Sequence, residues 1–289
     1  EAVSDENFDN IDVALFAGTE GEKGASILYA QKFIDKGAVV IDNGNDFRMQ
    51  DDVPLVVPEV NKEKIPENKG LISNPNCSTI QALVALGGIY KNFGLDQFTL
   101  TSFQATSGAG KSAAASLWNE TKSLVEKNKE LDFDKVEKKI DGTPEEFNHQ
   151  IAFNVIPQIG GYGKDNYTSE EWKVVHETHK IFGDNSIQIS ATCVRVPVFT
   201  SHSESIHFTT KKDSTLEDLE QVLDKSPGVK FLKDSLCFPV DTEGKDEVYV
   251  SRLRVDPFRK NTYWMWCVAD NLRKGAALNA VQIAEYLLK

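Results

Sequence analysis

Leu71-Ile72-Ser73-Asn74-Pro75-Asn76-Cys77-Ser78-Thr79-Ile80-Gln81-Ala82-Leu83-Val84 joins two kinds of periodicity at one corner. Leu71-Ile72 reads as the end of a short buried strand, Asn74-Pro75-Asn76 imposes a turn, and from Ser78 onward Ile80, Leu83 and Val84 share one helical face. Ser78 followed by Gln81 fits a capping box, which makes Ser78 the N-cap and leaves Cys77 just outside the helix. There it lies beside unpaired N–H groups and the positive end of the helix dipole, a setting that favours thiolate. A lone cysteine in a turn is ordinarily a small buried hydrophobe. The strand-to-helix corner is what marks this one.

Working outward, the apolar run Ile11 to Phe16, a helical stretch from Ala25 to Lys36 and a second apolar run, Ala38 to Ile41, read as a βαβ unit with Gly37 at the helix C′ position. A right-handed crossover makes the two strands parallel and puts the Ala17-Gly18-Thr19 loop at their carboxyl edge, where ligands bind in open α/β sheets. Pro54 to Pro58 reads as a short strand bounded by prolines, and Asn61 to Gly70 as a polar connection. Phe98 to Phe103 alternates as a strand running into Gln104 and the Ser107-Gly108-Ala109-Gly110 loop, with helical composition over Lys111 to Lys129 and a solvated, charge-rich stretch over Glu126 to Glu146. Tyr167 to Phe182 reads as a helix capped by Thr168 or Ser169, and Ile187 to Phe199 as a long strand. Apolar runs at Ser205 to Thr209, Val248 to Val255 and Tyr263 to Val268, with a helix near Leu216 to Lys225, predict a mixed, largely antiparallel sheet. Gly275 to Lys289 has helical spacing.

With 289 residues, 40% of them hydrophobic and 26% charged, the chain has the composition of a globular protein with room for two cores. A net charge of -12 argues against nucleic acid and anionic membranes as partners, so an anionic substrate must be met by local cations. The cysteines, Cys77, Cys193, Cys237 and Cys267, form no C-x-x-C pair or Cys/His cluster, which argues against a metal site and a disulfide framework. No apolar run reaches the length of a membrane span and no signal peptide is visible, making the cytoplasm the expected compartment.

The Cys77 stretch resembles the active-site signature of the aspartate-β-semialdehyde dehydrogenase family. The resemblance extends over the whole chain, through Asp42-Asn43-Gly44-Asn45-Asp46-Phe47-Arg48, Gln104 to Gly110, Cys193-Val194-Arg195-Val196-Pro197, His202-Ser203-Glu204 and Ala269 to Ala276. It implies an α/β fold: an incomplete Rossmann-type dinucleotide-binding domain over residues 1–77, with residues 270–289 packing back on it, and an α+β catalytic and dimerisation domain over 78–269. It also implies NADP as cofactor, β-aspartyl phosphate or aspartate semialdehyde and phosphate as substrates, and a homodimer or dimer of dimers serving lysine, threonine and methionine biosynthesis. The family's opening strand and glycine-rich phosphate loop should precede residue 1, so a chain beginning at Glu1 is expected to hold NADP weakly.

The chemistry fits these residue types. A thiolate on Cys77 can form a thioester, splitting aldehyde–acyl phosphate interconversion into two easier steps, with backbone N–H groups from Asn76 to Ser78 facing the oxyanion. His202, read as lying in a turn among Thr200, Ser201 and Ser203, is the candidate proton acceptor and matches the family's acid/base histidine. Gln104 can orient a water or carbonyl without titrating, and Arg195 can grip a carboxylate with two prongs. By resemblance alone, Arg48 and Lys173 are phosphate contacts, Asn76 touches substrate or phosphate, and Glu170 receives the substrate amine. Gly18, Thr19, Ser107, Gly108 and Asn271 are implied cofactor contacts on the same basis. Alternative readings are N-acetyl-glutamyl-phosphate reductase, a cysteine hydrolase built on Cys77, His202 and Gln104, and a truncated non-catalytic homologue.

Overall fold

A computed structural model of the chain describes residues 8–17, 24–128, 130, 132, 134–144 and 146–288. Strand β1 (Val13–Phe16), helix α1 (Ala25–Asp35) and strand β2 (Val39–Asp42) form the expected βαβ unit, with Val13 opposite Val39 in a parallel pair. Gly37 has φ 93° and donates its N–H to the Ile34 carbonyl, a left-handed stop to α1 that a side chain would strain.

The proline-bounded run is not a strand. A single bridge links Leu55 to Ser73, and Pro58, which has no N–H for a ladder, opens the short helix α2 (Pro58–Asn61) instead. The polar connection that follows winds into a 3-10 turn at Lys62–Glu67. Strand β3 (Leu71–Ser73) completes a three-stranded parallel sheet in the order β1-β2-β3, and helix α3 (Cys77–Phe93) starts just beyond its carboxyl end.

The rest of the chain builds the second sheet. In order come β4 (Leu95–Gln104), α4 (Lys111–Lys127), α5 (Ser169–Phe182), β5 (Gln188–Arg195) and β6 (His202–Thr210). They are followed by α6 (Leu216–Lys225), β7 (Val229–Leu232), α7 (Pro239–Thr242), β8 (Val248–Val255) and β9 (Thr262–Ala269). Six strands lie in the order β5-β4-β6-β9-β8-β7. The β4–β6, β6–β9 and β8–β9 pairs are antiparallel, while β4–β5 and β7–β8 are parallel. Strand β5 stops at Arg195, short of the expected Phe199, because Pro197 has no N–H to extend the ladder. Arg195 instead exchanges both backbone hydrogen bonds with Ile156.

Helix α3 packs along the larger sheet. Ile80, Leu83, Leu86 and Ile89 are buried in one cluster with Phe98 and Leu100 of β4, Phe208 of β6 and Met265 of β9. Full burial of each such side chain contributes about 1.5–3 kcal/mol, so packing along the whole helix fixes where its first residue, Cys77, stands. Helix α8 (Leu278–Leu287) lays Ala280 and Ile283 over Ile41 and Ile72 of the smaller sheet and over Val56 beside it. No described helix is long and apolar enough to cross a membrane.

Candidate active site

Cys77 is the first residue of α3, and the N-cap is Asn76, one position before it and two before the Ser78 expected from sequence. The Asn76 Oδ1 accepts the N–H of Ser78 at 3.0 Å and of Thr79 at 3.4 Å, the role asparagine fills as well as serine. The capping-box residues are otherwise engaged: Ser78 Oγ accepts from Gln104 Nε2 at 2.8 Å, and Gln81 Nε2 donates to the Cys267 carbonyl at 3.4 Å. Among the described residues no protein acceptor takes the Cys77 N–H, whereas the Asn76 N–H goes to Glu177. The oxyanion donors expected over Asn76 to Ser78 therefore reduce to that of Cys77 itself.

The thiol is not poised as thiolate in the ligand-free molecule. Burial, and then the Glu170 carboxylate, push Cys77 up to about 12, against the opposing pull of Arg195, Arg48 and the Ser78 N–H. It is nonetheless the only one of the four cysteines that is half-buried; Cys193, Cys237 and Cys267 are fully buried. Gly275, in the π-turn Arg273–Ala277, is pressed against it, so that a Cβ on Gly275 would lie 2.9 Å from the Cys77 Cβ.

Cys77 lines a pocket of about 290 Å³ shared with Arg48, Asn76, Gln104, Gly108, Glu170, Lys173, Arg195 and Asn271. Helix α5 supplies the acidic wall. Of the two caps the sequence allowed, Thr168 and Ser169, Thr168 is the one used, in a full capping box with Glu171, and Glu170 and Lys173 line the pocket from the first two turns. Glu170 Oε1 accepts from Asn76 Nδ2 at 2.9 Å and from Gln104 Nε2 at 3.4 Å, while Lys173 Nζ lies 3.3 Å from Glu170 Oε2. Arg48 is buried and already donates Nε to the Asn74 carbonyl, Nη2 to the Asn43 carbonyl and Nη1 to Glu177, leaving two of the five guanidinium N–H groups for an anion.

Arg195 donates Nη1 to the Ala105 carbonyl at 2.6 Å, its guanidinium carbon lies 5.6 Å from the centre of the Phe147 ring, and its buried Nε has no partner. His202 is not in a turn: it is the first residue of β6, is fully buried, and does not line the pocket. The sharp change of direction falls on Ser201, with φ 70°. The Ala105 N–H donates to His202 Nδ1 at 3.0 Å, and burial together with Arg195 holds the imidazole well below the usual histidine value. The ring is thus neutral at neutral pH, with its proton on Nε2. That Nε2 has no partner and lies under Gly108, where an added Cβ would come within 3.1 Å of the ring and 3.2 Å of Arg195 Nη1.

On the remaining side, Asn271 Oδ1 accepts the Ser201 N–H at 2.9 Å, and its Nδ2 donates to Ser107 Oγ at 3.1 Å, so Ser107 stands behind Asn271 outside the pocket lining. Gly18 and Thr19 lie outside the described residues. No group of His, Cys, Asp and Glu side chains among the described residues could hold a metal ion. Sequence reasoning passed over Glu177 and Gly275. The signal for Glu177 was present: with Glu170 and Val174 it continues the i, i+4, i+7 stripe of the buried face of α5.

Residues 1–68 match the family model for the semialdehyde dehydrogenase NAD binding domain, and residues 86–274 that for the semialdehyde dehydrogenase dimerisation domain. The chain is 47% identical to an aspartate-semialdehyde dehydrogenase of Aquifex aeolicus, over 100% of its own length and 83% of the relative's. It is 41% identical to that of Bacillus subtilis with the same coverage. A crystal structure of aspartate semialdehyde dehydrogenase II from Vibrio cholerae, complexed with ASA, superposes with a TM-score of 0.89 at 42% identity, covering 98% of this chain and 81% of that one.

Proposed function

The chain belongs to the aspartate-semialdehyde dehydrogenase family, and on that premise we propose that it reduces β-aspartyl phosphate to aspartate β-semialdehyde through a thioester on Cys77, with reduced NADP (NADPH) as the hydride source. The observation that carries this reading is the single pocket in which the helix-start Cys77 faces both a carboxylate, Glu170, and the guanidinium groups of Arg195 and Arg48. A substrate with an α-carboxylate, an α-ammonium and a phosphoryl group needs that set of opposite charges in an otherwise acidic protein.

Arg195 grips the carboxylate and Glu170 the ammonium. Arg48 and Lys173 receive the phosphoryl group with Asn76 beside them, and Gln104 orients the carbonyl. Neutralising Glu170 with the substrate's ammonium removes the second largest cause of the raised Cys77 value, so substrate binding itself draws the thiol toward thiolate. The thiolate adds to the carbonyl carbon, and the C–O bond to phosphate breaks with its electron pair leaving on phosphate. When bound, the dinucleotide supplies the hydride that takes this thioester to the aldehyde level. The tetrahedral oxyanion is met by the Cys77 N–H, with the proton on His202 Nε2 held behind Gly108 on the same side, and breakage of the C–S bond then returns the thiolate. A His202 ring whose Nδ1 is already occupied and whose Nε2 carries the proton serves as donor, an arrangement opposed to the Cys–His base pair that a hydrolase needs.

Gly108 and Asn271 fit the nicotinamide end: the glycine leaves open the space beside His202 and Arg195, and the asparagine presents a fixed amide. We assign residues 1–77 and 270–289 to the dinucleotide-binding domain and 78–269 to the catalytic and dimerisation domain. The packing of α8 on the smaller sheet supports that division. The same reading takes the enzyme as a cytoplasmic homodimer or dimer of dimers in lysine, threonine and methionine biosynthesis. The test is phosphate-dependent reduction of NADP with aspartate semialdehyde. Turnover is expected to disappear in a folded Cys77→Ala variant; activity equal to the parent's in that variant excludes the covalent route.

A further inference from the structure

Helix α5 holds Asn76 at both ends. Its Glu170 Oε1 accepts the Asn76 side-chain amide at 2.9 Å, and its Glu177 Oε2 accepts the Asn76 backbone N–H at 2.7 Å. The other Glu177 oxygen accepts Arg48 Nη1 at 3.0 Å. Glu177 is 1% exposed and does not line the pocket, and no step of the proposed chemistry uses it. We propose that Glu177 is a positioning residue, which locks the N-cap of the Cys77 helix and the Arg48 guanidinium to one another so that the phosphoryl group meets a pre-aimed arginine at a set distance from the thiol. This rests on the reading of Arg48 as a phosphate contact.

Arg48 stands on the chain that leaves β2, and Asn76 on the chain that leaves β3, both of the smaller sheet. Glu177 comes from α5, which packs on the larger sheet. One carboxylate therefore sets two loops of one sheet against a helix of the other. A need for cohesion alone is poorly served by it, since well-packed apolar side chains do as well as a buried ion pair without its desolvation penalty. What an ion pair adds is direction: each oxygen has one assigned donor, and the remaining N–H groups of Arg48 are aimed as a consequence. The burial exacts its penalty, because desolvation raises the Glu177 carboxyl despite the opposing pull of Arg48 and the Asn76 N–H.

Glu177→Gln separates the two ties. The amide has one acceptor oxygen, so it can keep the Asn76 N–H or Arg48 Nη1, and its NH2 group opposes whichever donor remains. Protection of Cys77 by inorganic phosphate against iodoacetamide, read by mass spectrometry on the full chain, reports anion binding without requiring turnover. In Glu177→Gln the half-protecting phosphate concentration is expected to rise about tenfold or more, while the unprotected alkylation rate of the folded variant stays close to the parent's. Arg48→Lys should show a similar rise, and the double variant should be no worse than Arg48→Lys, because both changes act through one guanidinium. An unchanged phosphate concentration in Glu177→Gln beside a raised one in Arg48→Lys overturns the proposal and leaves the functional reading standing. No effect in Arg48→Lys, or no protection of the parent, overturns the phosphate reading and this route together, while turnover still reports on Cys77. Additive effects in the double variant also overturn it. Should Glu177→Gln not fold, Glu177→Asp, whose shorter carboxylate reaches one partner at a time, is expected to show the same rise, and an unchanged value there refutes the proposal.

Discussion

Replacing Glu170 by glutamine should make Cys77 more reactive while making the enzyme worse. The ligand-free thiol is pushed up to about 12, with burial the largest cause and the Glu170 carboxylate the next. Against an ordinary thiol near 8.5, a shift of that size lowers the thiolate fraction at neutral pH by roughly three thousandfold. The greater intrinsic nucleophilicity of a more basic thiolate returns a factor of about forty, so alkylation should run roughly a hundredfold slower than for a free cysteine. Removing a neighbouring negative charge lowers the value, and with the same nucleophilicity correction a shift of about one unit speeds alkylation about three- to fourfold. Turnover should fall, since the substrate's ammonium then loses its counter-charge. Iodoacetamide kinetics from pH 6.5 to 9.5, followed by mass spectrometry of the Cys77 peptide, would measure both arms. The parent rate should climb with pH without a plateau, and the buried cysteines should stay unmodified. A plateau below pH 8 in the parent, or slower labelling of Glu170→Gln than of the parent, would refute this account of what holds the thiol protonated.

Arg195→Lys should chiefly raise the substrate KM, with a loss on the order of 1.5–3 kcal/mol because an ammonium cannot reproduce a two-pronged contact, whereas His202→Ala should depress kcat; steady-state kinetics showing the reverse would reassign both. Gly275→Ala should cost about 1–3 kcal/mol by overpacking and cut kcat about a hundredfold by displacing the thiol, since its Cβ would lie 2.9 Å from that of Cys77; unaltered activity would show that the π-turn yields. Glu204 is fully buried, and burial raises it well above the usual carboxylate range against the opposing pull of the Gln81 side chain. Its stabilising contribution is therefore complete below the unfolded carboxyl value and declines by about 1.4 kcal/mol per pH unit above it until the folded value is passed, so Glu204→Gln should match the parent in urea melts near pH 4 and exceed it near pH 8. Equal stability at both pH values would mean that Glu204 is accommodated as an ion.

The parts of the fold that sequence made legible are those where one periodicity runs unbroken. The βαβ unit, Leu216–Lys225 and Val248–Val255 have the bounds or nearly the bounds expected. Proline was misread in both directions: Pro58 opens a helix where a strand was expected, and Pro197 ends a strand expected to continue. In each case the apolar pattern argued for a strand and the missing N–H overruled it. The corner itself was legible to within two residues, the error lying in the choice between Ser78 and Asn76, two residue types of nearly equal capping strength. Only the third dimension separates them, because it sends Gln104 to the Ser78 hydroxyl and leaves Asn76 free to cap.

The electrostatic state of the site was less legible for a related reason. Sequence supplies the helix dipole at Cys77, a local property, and from it the expectation of a thiolate; resemblance placed Glu170 at the substrate amine, but not the burial and the Glu170 charge that together raise the thiol. The same helix brings Glu177 to Asn76 and Arg48. Two influences on the nucleophile's corner therefore come from α5 and meet at Asn76, which hydrogen-bonds both carboxylates. Burial first and Glu170 second hold this thiol protonated, even with Lys173 Nζ 3.3 Å from Glu170 Oε2, and a second cation at Glu170 weakens the part that the carboxylate contributes. It follows that the ammonium group of the substrate does more than bind: by neutralising Glu170 it lowers the barrier to forming the nucleophile, so an analogue lacking the ammonium should lose kcat as well as affinity. Loss confined to KM for such an analogue would separate Glu170's binding role from any influence on Cys77.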